Sequence, residues 1–357
     1  MNPSPGEITI NGRPIGPGRP MYVIAEMSAN HHQDFDEAVR IVEEAKAAGA
    51  DAVKLQTYTP DTLTIDCDNE HFRIGGGTIW EGRYLHDLYA EACMPWEWHE
   101  PLKQRARELG LDLFSTAYDF TAVEFLEGLG VPAFKIASFE IVDLPLIRRA
   151  ARSGKPLILS TGMATFGEIE EAVAAAREGG ATEIALLKCT SAYPSPPEEV
   201  HLRTIPHLEK TFGLPVGLSD HTLGIAVAVA SVPFGCAILE KHFTRSRRRP
   251  GPDSEFSLEP DEFREMVRMI RIAEAALGGV HYGVGERESG SRVFRRSLFV
   301  VANMQTGEVF TETNLRSIRP GSGLAPKHLD RILGQRAARD IPRGTPLSWD
   351  LVAGSGS

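Results

Sequence analysis

Eight short apolar runs alternate with amphipathic, helix-like stretches across the first two thirds of the chain: YVIAEM, DAVKLQTY, DLFSTAY, AFKIAS, PLILST, EIALLKCT, VGLSDHT and AILEKHFT. This rhythm limits the possible folds more than any other feature. Strands covered on both faces read as near-continuous apolar runs, and a helix between successive strands makes them parallel. Several of the helical stretches reach glycine just before the next run, in AAGADAV, ELGLDLF, GLGVPAF and EGGATEI, where a left-handed residue ends a helix. Eight strand-helix units over roughly 250 residues predict an α/β fold of the closed (β/α)8 barrel type. A doubly wound open sheet is the alternative, but no GxGxxG follows the first run.

The flanks divide the chain further. ITINGRPIG, with an Asn-Gly turn between extended runs, predicts a β-hairpin within residues 1–20, ahead of a barrel over 21–277. A polar, glycine-rich link over 278–292 leads to a second domain over 293–352, with β-like runs SLFVVAN and NLRSIRP and a small helix near HLDRILG. Residues 353–357 form a tail of small residues set aside from the fold. A domain of about 60 residues has a marginal core of its own and is expected to lean on a barrel. The long break in the rhythm, Thr59 to Pro95, is rich in tryptophan and tyrosine, and it reads either as an ordered lid or as packing alone.

Composition excludes some roles. A net charge of −10 argues against general nucleic-acid binding, which needs a positive field. Four cysteines without a CxxC spacing predict reduced thiols and a cytoplasmic protein, and the N-terminus lacks the basic and apolar regions of an export signal. The uncharged stretch from Thr222 to Leu239 is broken by Pro233 and Gly235, so it reads as a buried helix running into a buried strand and not as a membrane span.

Chemistry concentrates at the ends of the predicted strands. Alternation puts Ser219 with His221, and Glu240 with His242, on one face of two successive strands, so two imidazoles and a carboxylate converge as a candidate metal site. The alternative for each histidine is a ring satisfied by a backbone carbonyl. Lys54 and Gln56 share a face of the second strand, and Lys135 lies in the fourth. Buried ammonium groups need anions, supplied either by Glu26 and Glu140 or by a phosphate and a carboxylate of a ligand. Hydroxyls recur at the same level at Ser115, Thr116, Ser138, Ser160, Thr161, Thr190, Ser191 and Ser219, which with two lysines suggests a phosphate cradle. RSRRR, at 245–249, reads as a solvated face or as a second anion site.

IAEMSANHH, ADAVKLQTY, KIASFE, LSTGMAT, KCTSAYPSP, GLSDHT, EKHFT and GPDSEFSLEPDEF together resemble the sialic acid synthase family, over nearly the whole chain. The C-terminal part is similar to antifreeze-protein-like (SAF) domains. TIWEGRYLHDLY followed by MPWEWHE is most similar to the pseudaminic acid branch, whose sugar is 2,4-diacetamido-2,4,6-trideoxy-altrose. The resemblance implies an enzyme that condenses phosphoenolpyruvate with an acetamido sugar and water, releasing phosphate and a nine-carbon 2-keto acid. N-acetylneuraminate and N,N'-diacetyllegionaminate synthases are the alternatives within the family.

The same resemblance implies site residues. His221 and His242 would hold a divalent metal, Mn2+, Mg2+ or Co2+. Lys54, Thr116, Lys135, Ser138, Ser160, Ser191 and Ser219 would bind phosphoenolpyruvate, although some relatives carry Asn where this chain has Ser191. Tyr193 and Asp253 would contact the sugar, and Glu26, Gln56 and Glu140 would complete the site; from the chemistry of water addition, Glu140 is expected to be the base. Strict alternation places Ser138 opposite Lys135, so Ser138 and Glu140 must turn inward as the strand ends. Arg319, in SIRPGSG, would enter the active site of a partner in a domain-swapped homodimer. A metal-dependent aldolase, a lysine Schiff-base enzyme, and a carbohydrate- or ice-binding protein on an inactive barrel are the rival readings.

Overall fold

The computed structural model describes residues 6–354, which divide into two compact units, one ending at Gly278 and one beginning at Gly279. Strands β1 (Ile8–Ile10) and β2 (Arg13–Ile15) pair antiparallel across the Asn11-Gly12 turn. Eight further strands follow: β3 (Tyr22–Glu26), β4 (Ala52–Thr57), β5 (Asp112–Ala117), β6 (Phe134–Ile136), β7 (Leu157–Ser160), β8 (Ile184–Cys189), β9 (Val216–Asp220) and β10 (Ile238–His242). Each pairs in parallel with the next, and β10 closes on β3. The predicted closed barrel is therefore the observed one, and the open sheet is excluded. Residues 1–5 of the expected hairpin segment and 355–357 of the expected tail lie outside the described residues.

The helices form where the sequence supplies both a face and an end. The helix Phe35–Ala47 buries Ala38, Ile41, Val42 and Ala45 on one stripe and is capped by Asp34, whose carboxylate accepts from the Glu37 amide. Gly130 ends the helix Phe120–Leu129 at φ +68°, in the left-handed region that a side chain would strain. The segment after β9 departs from expectation. It forms only a five-residue helix, Ala226–Ala230, followed by a 3-10 turn, and Leu223, Ala226 and Ala230 are exposed. Pro233 removes an amide donor just where a longer helix would need one, which accounts for its shortness.

Strand register sorts the polar residues. Paired residues in neighbouring parallel strands face the same side, and His242 pairs with Glu26, which pairs with Lys54. Gln56 pairs with Thr116, which pairs with Lys135. These two rows bring the charged residues to one level inside the barrel, while the alternate apolar residues meet the helices. One charged pair faces outward: Lys241 and Asp220 are fully buried and 2.8 Å apart, a structural ion pair behind β9 and β10. Gly217 lets those strands approach, since a Cβ there would lie 2.2 Å from the Ile238 carbonyl oxygen.

In the second unit, β11 (Ser297–Val300) and β12 (Leu315–Ile318) pair antiparallel. They cover a small core that includes Leu298, Val300, Met304, Phe310, Ile332, Ile341 and Leu347. No described helix is long and apolar enough to cross a membrane, and all four cysteines are free.

Candidate active site at the barrel mouth

A cavity of about 370 Å³ opens at the C-terminal ends of the barrel strands, where parallel barrels place their chemistry. Glu26, Lys54, Gln56, Lys135, Ser138, Glu140, Ser160, Tyr193, Ser219, His221, His242 and Asp253 all line it. Thr116 and Ser191 stand one hydrogen bond behind: Lys54 Nζ donates to Thr116 Oγ1 at 2.9 Å, and Ser191 Oγ lies 2.9 Å from Ser138 Oγ. Arg319 belongs to the second unit, where it is exposed just after β12. β6 ends at Ile136, which frees the following residues from alternation, and Ser138 and Glu140 do turn into the cavity.

The two lysines differ. Lys54 Nζ lies 2.7 Å from Glu26 Oε2 and 3.6 Å from Glu240 Oε1. Burial would discharge its ammonium, but the Glu240 and Glu26 carboxylates outweigh that and hold its pKa above the ordinary lysine value. Lys135 is 1% exposed and donates to the Ile136 carbonyl, and among the described residues no carboxylate pairs with it. Burial pulls its pKa down, partly opposed by Glu240. An ammonium buried without a counter-ion is a standing cost of several kcal/mol, so Lys135 is poised for an anionic ligand.

The carboxylates are tuned in opposite directions. Burial pushes Glu140 up to about 7 against the pull of Lys135. Glu26 also rises to about 7, through burial opposed by Lys54 and aided by the charge on Glu240. Burial acts on Glu240 as well, but Lys54, Lys135 and His221 hold it below its ordinary value. Glu140 Oε2, Ser160 Oγ, Glu240 Oε2 and His242 Nδ1 are buried without a hydrogen-bond partner. Four orphaned polar atoms around one cavity are the mark of a site built for a polar ligand.

The imidazoles suit a metal. Their ring centroids are 5.4 Å apart. His221 Nδ1 lies 3.0 Å from the Thr190 carbonyl, which can only accept, so Nδ1 carries a proton and Nε2 is the nitrogen left for a metal. Burial is outweighed there by Cys189, the Thr190 carbonyl and Glu240, which hold the His221 pKa above its ordinary value, so a metal would take Nε2 in competition with a proton. Burial, with the charges on His221 and Lys54, drives the His242 pKa well below the ordinary value and leaves that ring neutral. These two rings fit a divalent ion to which the protein gives two ligands. Among the described residues no group of three or more His, Cys, Asp or Glu side chains is arranged for a metal. Glu240 lines the same cavity as the imidazoles, with its Oε1 facing Lys54 and accepting from Ser219 Oγ at 3.3 Å and its Oε2 without a hydrogen-bond partner.

Other expectations are corrected. Ser115 bonds Thr57, which also meets His99, and Thr161 donates to the Leu187 carbonyl. Thr190 accepts from Lys188 and donates to the Glu199 carbonyl, so these three hydroxyls hold the scaffold and do not ring the cavity. The arginine run follows the solvated-face reading: Arg245 pairs with Glu37 and Glu44, Arg247 with Glu262, and Arg249 with Asp34 and Glu37, while Arg248 is exposed.

Sequence reasoning missed a polar relay. Gln56 Nε2 donates to Glu26 Oε1 at 3.0 Å and to Ser28 Oγ at 2.9 Å, and Ser28 Oγ donates to Asp253. Ser28 follows β3 in a backbone with φ +46°, which no periodicity could flag. Gly162 was missed too. A Cβ there would lie 2.3 Å from Ser138 Cβ and 2.7 Å from Ser191 Oγ, so its absence lets the loop after β7 close on that serine pair. Tyr58, Trp80, Tyr89, Tyr118 and Cys189 also line the cavity.

A family model described as the NeuB family matches residues 41–282. The chain belongs to the NeuB family. A SAF-domain model matches residues 295–353, within the second unit. Among NeuB-family relatives, Pseudaminic acid synthase from Helicobacter pylori is 43% identical over 335 residues, covering 94% of this chain and 98% of that protein. A solved structure of the spore coat polysaccharide biosynthesis protein SpsE from Bacillus subtilis matches with a TM-score of 0.66 at 34% identity, over 97% of this chain and 99% of that one. An N-acetylneuraminic acid synthetase from Leptospira borgpetersenii matches with a TM-score of 0.71 at 31% identity, over 80% of this chain and 94% of that one.

Proposed function

We propose that this NeuB-family chain is a cytoplasmic pseudaminic acid synthase, condensing phosphoenolpyruvate with 2,4-diacetamido-2,4,6-trideoxy-altrose and water to give pseudaminic acid and phosphate. The observation that carries the reading is the near-full-length likeness to the Helicobacter pylori synthase, in a chain whose barrel mouth holds an unpaired buried lysine beside Glu140.

Lys54 and Lys135 bind the phosphate and carboxylate of phosphoenolpyruvate, with Ser138, Ser160, Ser191, Ser219 and Thr116 supplying hydroxyls. Tyr193 and Asp253 hold the sugar. Glu26 keeps Lys54 charged and orients Gln56. A divalent ion held by His221 and His242 would supply Lewis-acid polarisation of the sugar aldehyde. The enol carbon of phosphoenolpyruvate bonds to the aldehyde carbon, and the aldehyde oxygen takes a proton from solvent. Positive charge then develops on the carbon that bears the phosphate. Glu140 removes a proton from water as the water oxygen bonds to that carbon. Phosphate leaves with the electron pair of the carbon-oxygen bond, and the hydroxyl left behind gives its proton to the departing phosphate and becomes the keto group. The lysines stabilise the anionic groups throughout.

The test is phosphate release from phosphoenolpyruvate with a panel of acetamido sugars. Turnover should be best with the altrose-configured diacetamido trideoxy sugar. Preference for N-acetylmannosamine would move the chain to the N-acetylneuraminate branch, and no phosphate with any sugar would defeat the synthase reading.

The second unit is small enough to lean on a barrel, and the exposed, glycine-rich stretch before β11 is long enough to reach a neighbour's. The proposed assembly is a domain-swapped homodimer in which Arg319 serves the partner's sugar site. Arg319→Ala and His242→Ala should each be nearly inactive as pure dimers, and co-expression should restore part of the activity. In a mixed dimer one intact barrel meets the other subunit's intact arginine. No recovery in verified mixed dimers would mean that Arg319 does not act in trans.

A further inference from the structure

The cavity is built in two halves that differ in chemistry. Its charged residues come from the barrel strands and the loops that follow β6, β9 and β10, whereas the insertion between β4 and β5 contributes Leu63, Ile74, Trp80, Leu85, Leu88 and Tyr89 among others, and no charged group. Leu88 is buried and the other five are half-buried. The Trp80 indole is already engaged, since its Nε1 donates to the Pro252 carbonyl at 2.9 Å. Its ring lies 5.6 Å from that of Tyr193. The insertion is thereby tied to the loop that carries Asp253, and the Tyr58 and Tyr89 hydroxyls are the polar side-chain groups that the segment between β4 and β5 adds to the lining.

We infer that this wall sets the choice of sugar, with Leu63, Ile74, Leu85 and Leu88 seating the deoxygenated carbon 6 at the far end of the substrate and the methyl group of the neighbouring 4-acetamido substituent. The inference rests on the proposed synthase reaction and deepens it. Carbon 1 of the open-chain sugar must sit at the polar floor, where the lysines hold phosphoenolpyruvate. Carbon 6 therefore points to the mouth, which the insertion covers. A methyl group there gains apolar contact. A hydroxyl at the same carbon would lose its water and find no partner on four aliphatic side chains, and an apolar pocket discriminates against an added hydroxyl by about tenfold to a hundredfold.

The test compares kcat/KM, by phosphate release, for the diacetamido trideoxy sugar and for the same sugar carrying a hydroxyl at carbon 6. The wild-type chain should favour the deoxy sugar by at least about tenfold. Leu63→Asn, at a half-buried position, and Leu88→Ser should each narrow that ratio several-fold while the KM for phosphoenolpyruvate stays unchanged. Equal use of both sugars by the wild-type chain, or an unchanged ratio in both variants, overturns the inference while leaving the synthase reading intact. Failure to release phosphate with either sugar overturns both.

Discussion

Glu140→Gln should lower kcat by about 10²- to 10⁴-fold, the usual worth of a positioned general base, without unfolding the protein. Glu140 is the cavity carboxylate whose Oε2 is buried without a partner and whose pKa burial lifts to about 7. A base must be ionised to act, so wild-type kcat/KM should climb with pH and level off above about 7. The sign for stability is opposite. A carboxyl raised in the folded state contributes stability that is present below its unfolded pKa and is lost as pH rises through about 7. The glutamine variant lacks that loss, so at pH 8 it should melt no lower than wild type. Glu26 rises to a similar value but faces Lys54. Glu26→Gln should therefore weaken phosphoenolpyruvate binding and keep an acid limb, whereas residual turnover by Glu140→Gln should be flat across that range. A Glu140→Gln enzyme with an unaltered limb would remove Glu140 from the role of base.

Chelation should have the second-largest effect. Lewis-acid activation of a carbonyl is worth several kcal/mol, which is on the order of 10²- to 10³-fold in rate. Activity should vanish in chelator and return with manganese, while His242→Ala should stay inactive at any manganese concentration. The neutral His242 ring, with its buried and unpartnered Nδ1, has little structural work to lose, so this variant should keep its melting temperature within a few degrees. Full turnover by thoroughly demetallated protein would sink the assignment of His221 and His242.

The barrel was legible because its strands are buried on both faces and its helices end on glycine, two local signals repeated eight and several times over. The inward rows were legible as well, since register follows from period two: Lys54, Gln56 and Lys135 came to the expected level. Partner choice was less legible. Period two places Glu240 on the face of His242, but whether it turns to an imidazole or to Lys54 depends on the stagger between β10 and β4, which are separated by β3. Residues beyond strand ends escape periodicity altogether, which is why Ser28 and Gly162 were not found. The hydroxyls at Ser115, Thr161 and Thr190 matched the pattern of a cradle, yet neighbouring strands claimed the first two, through Thr57 and the Leu187 carbonyl, and the loop at Glu199 claimed the third. The insertion between β4 and β5 carried aromatic composition but no period, so its apolar face became visible only once it was folded over the cavity.

The central claim is tested most directly by supplying the full chain with phosphoenolpyruvate labelled with carbon-13 at carbon 2, the diacetamido trideoxy sugar and manganese, and by following carbon and phosphorus resonances together. The account predicts one inorganic phosphate for each phosphoenolpyruvate consumed, with the label appearing at carbon 2 of a nine-carbon keto acid. Phosphoenolpyruvate left untouched, phosphate released with the label in pyruvate, or the keto acid formed from pyruvate instead would contradict it.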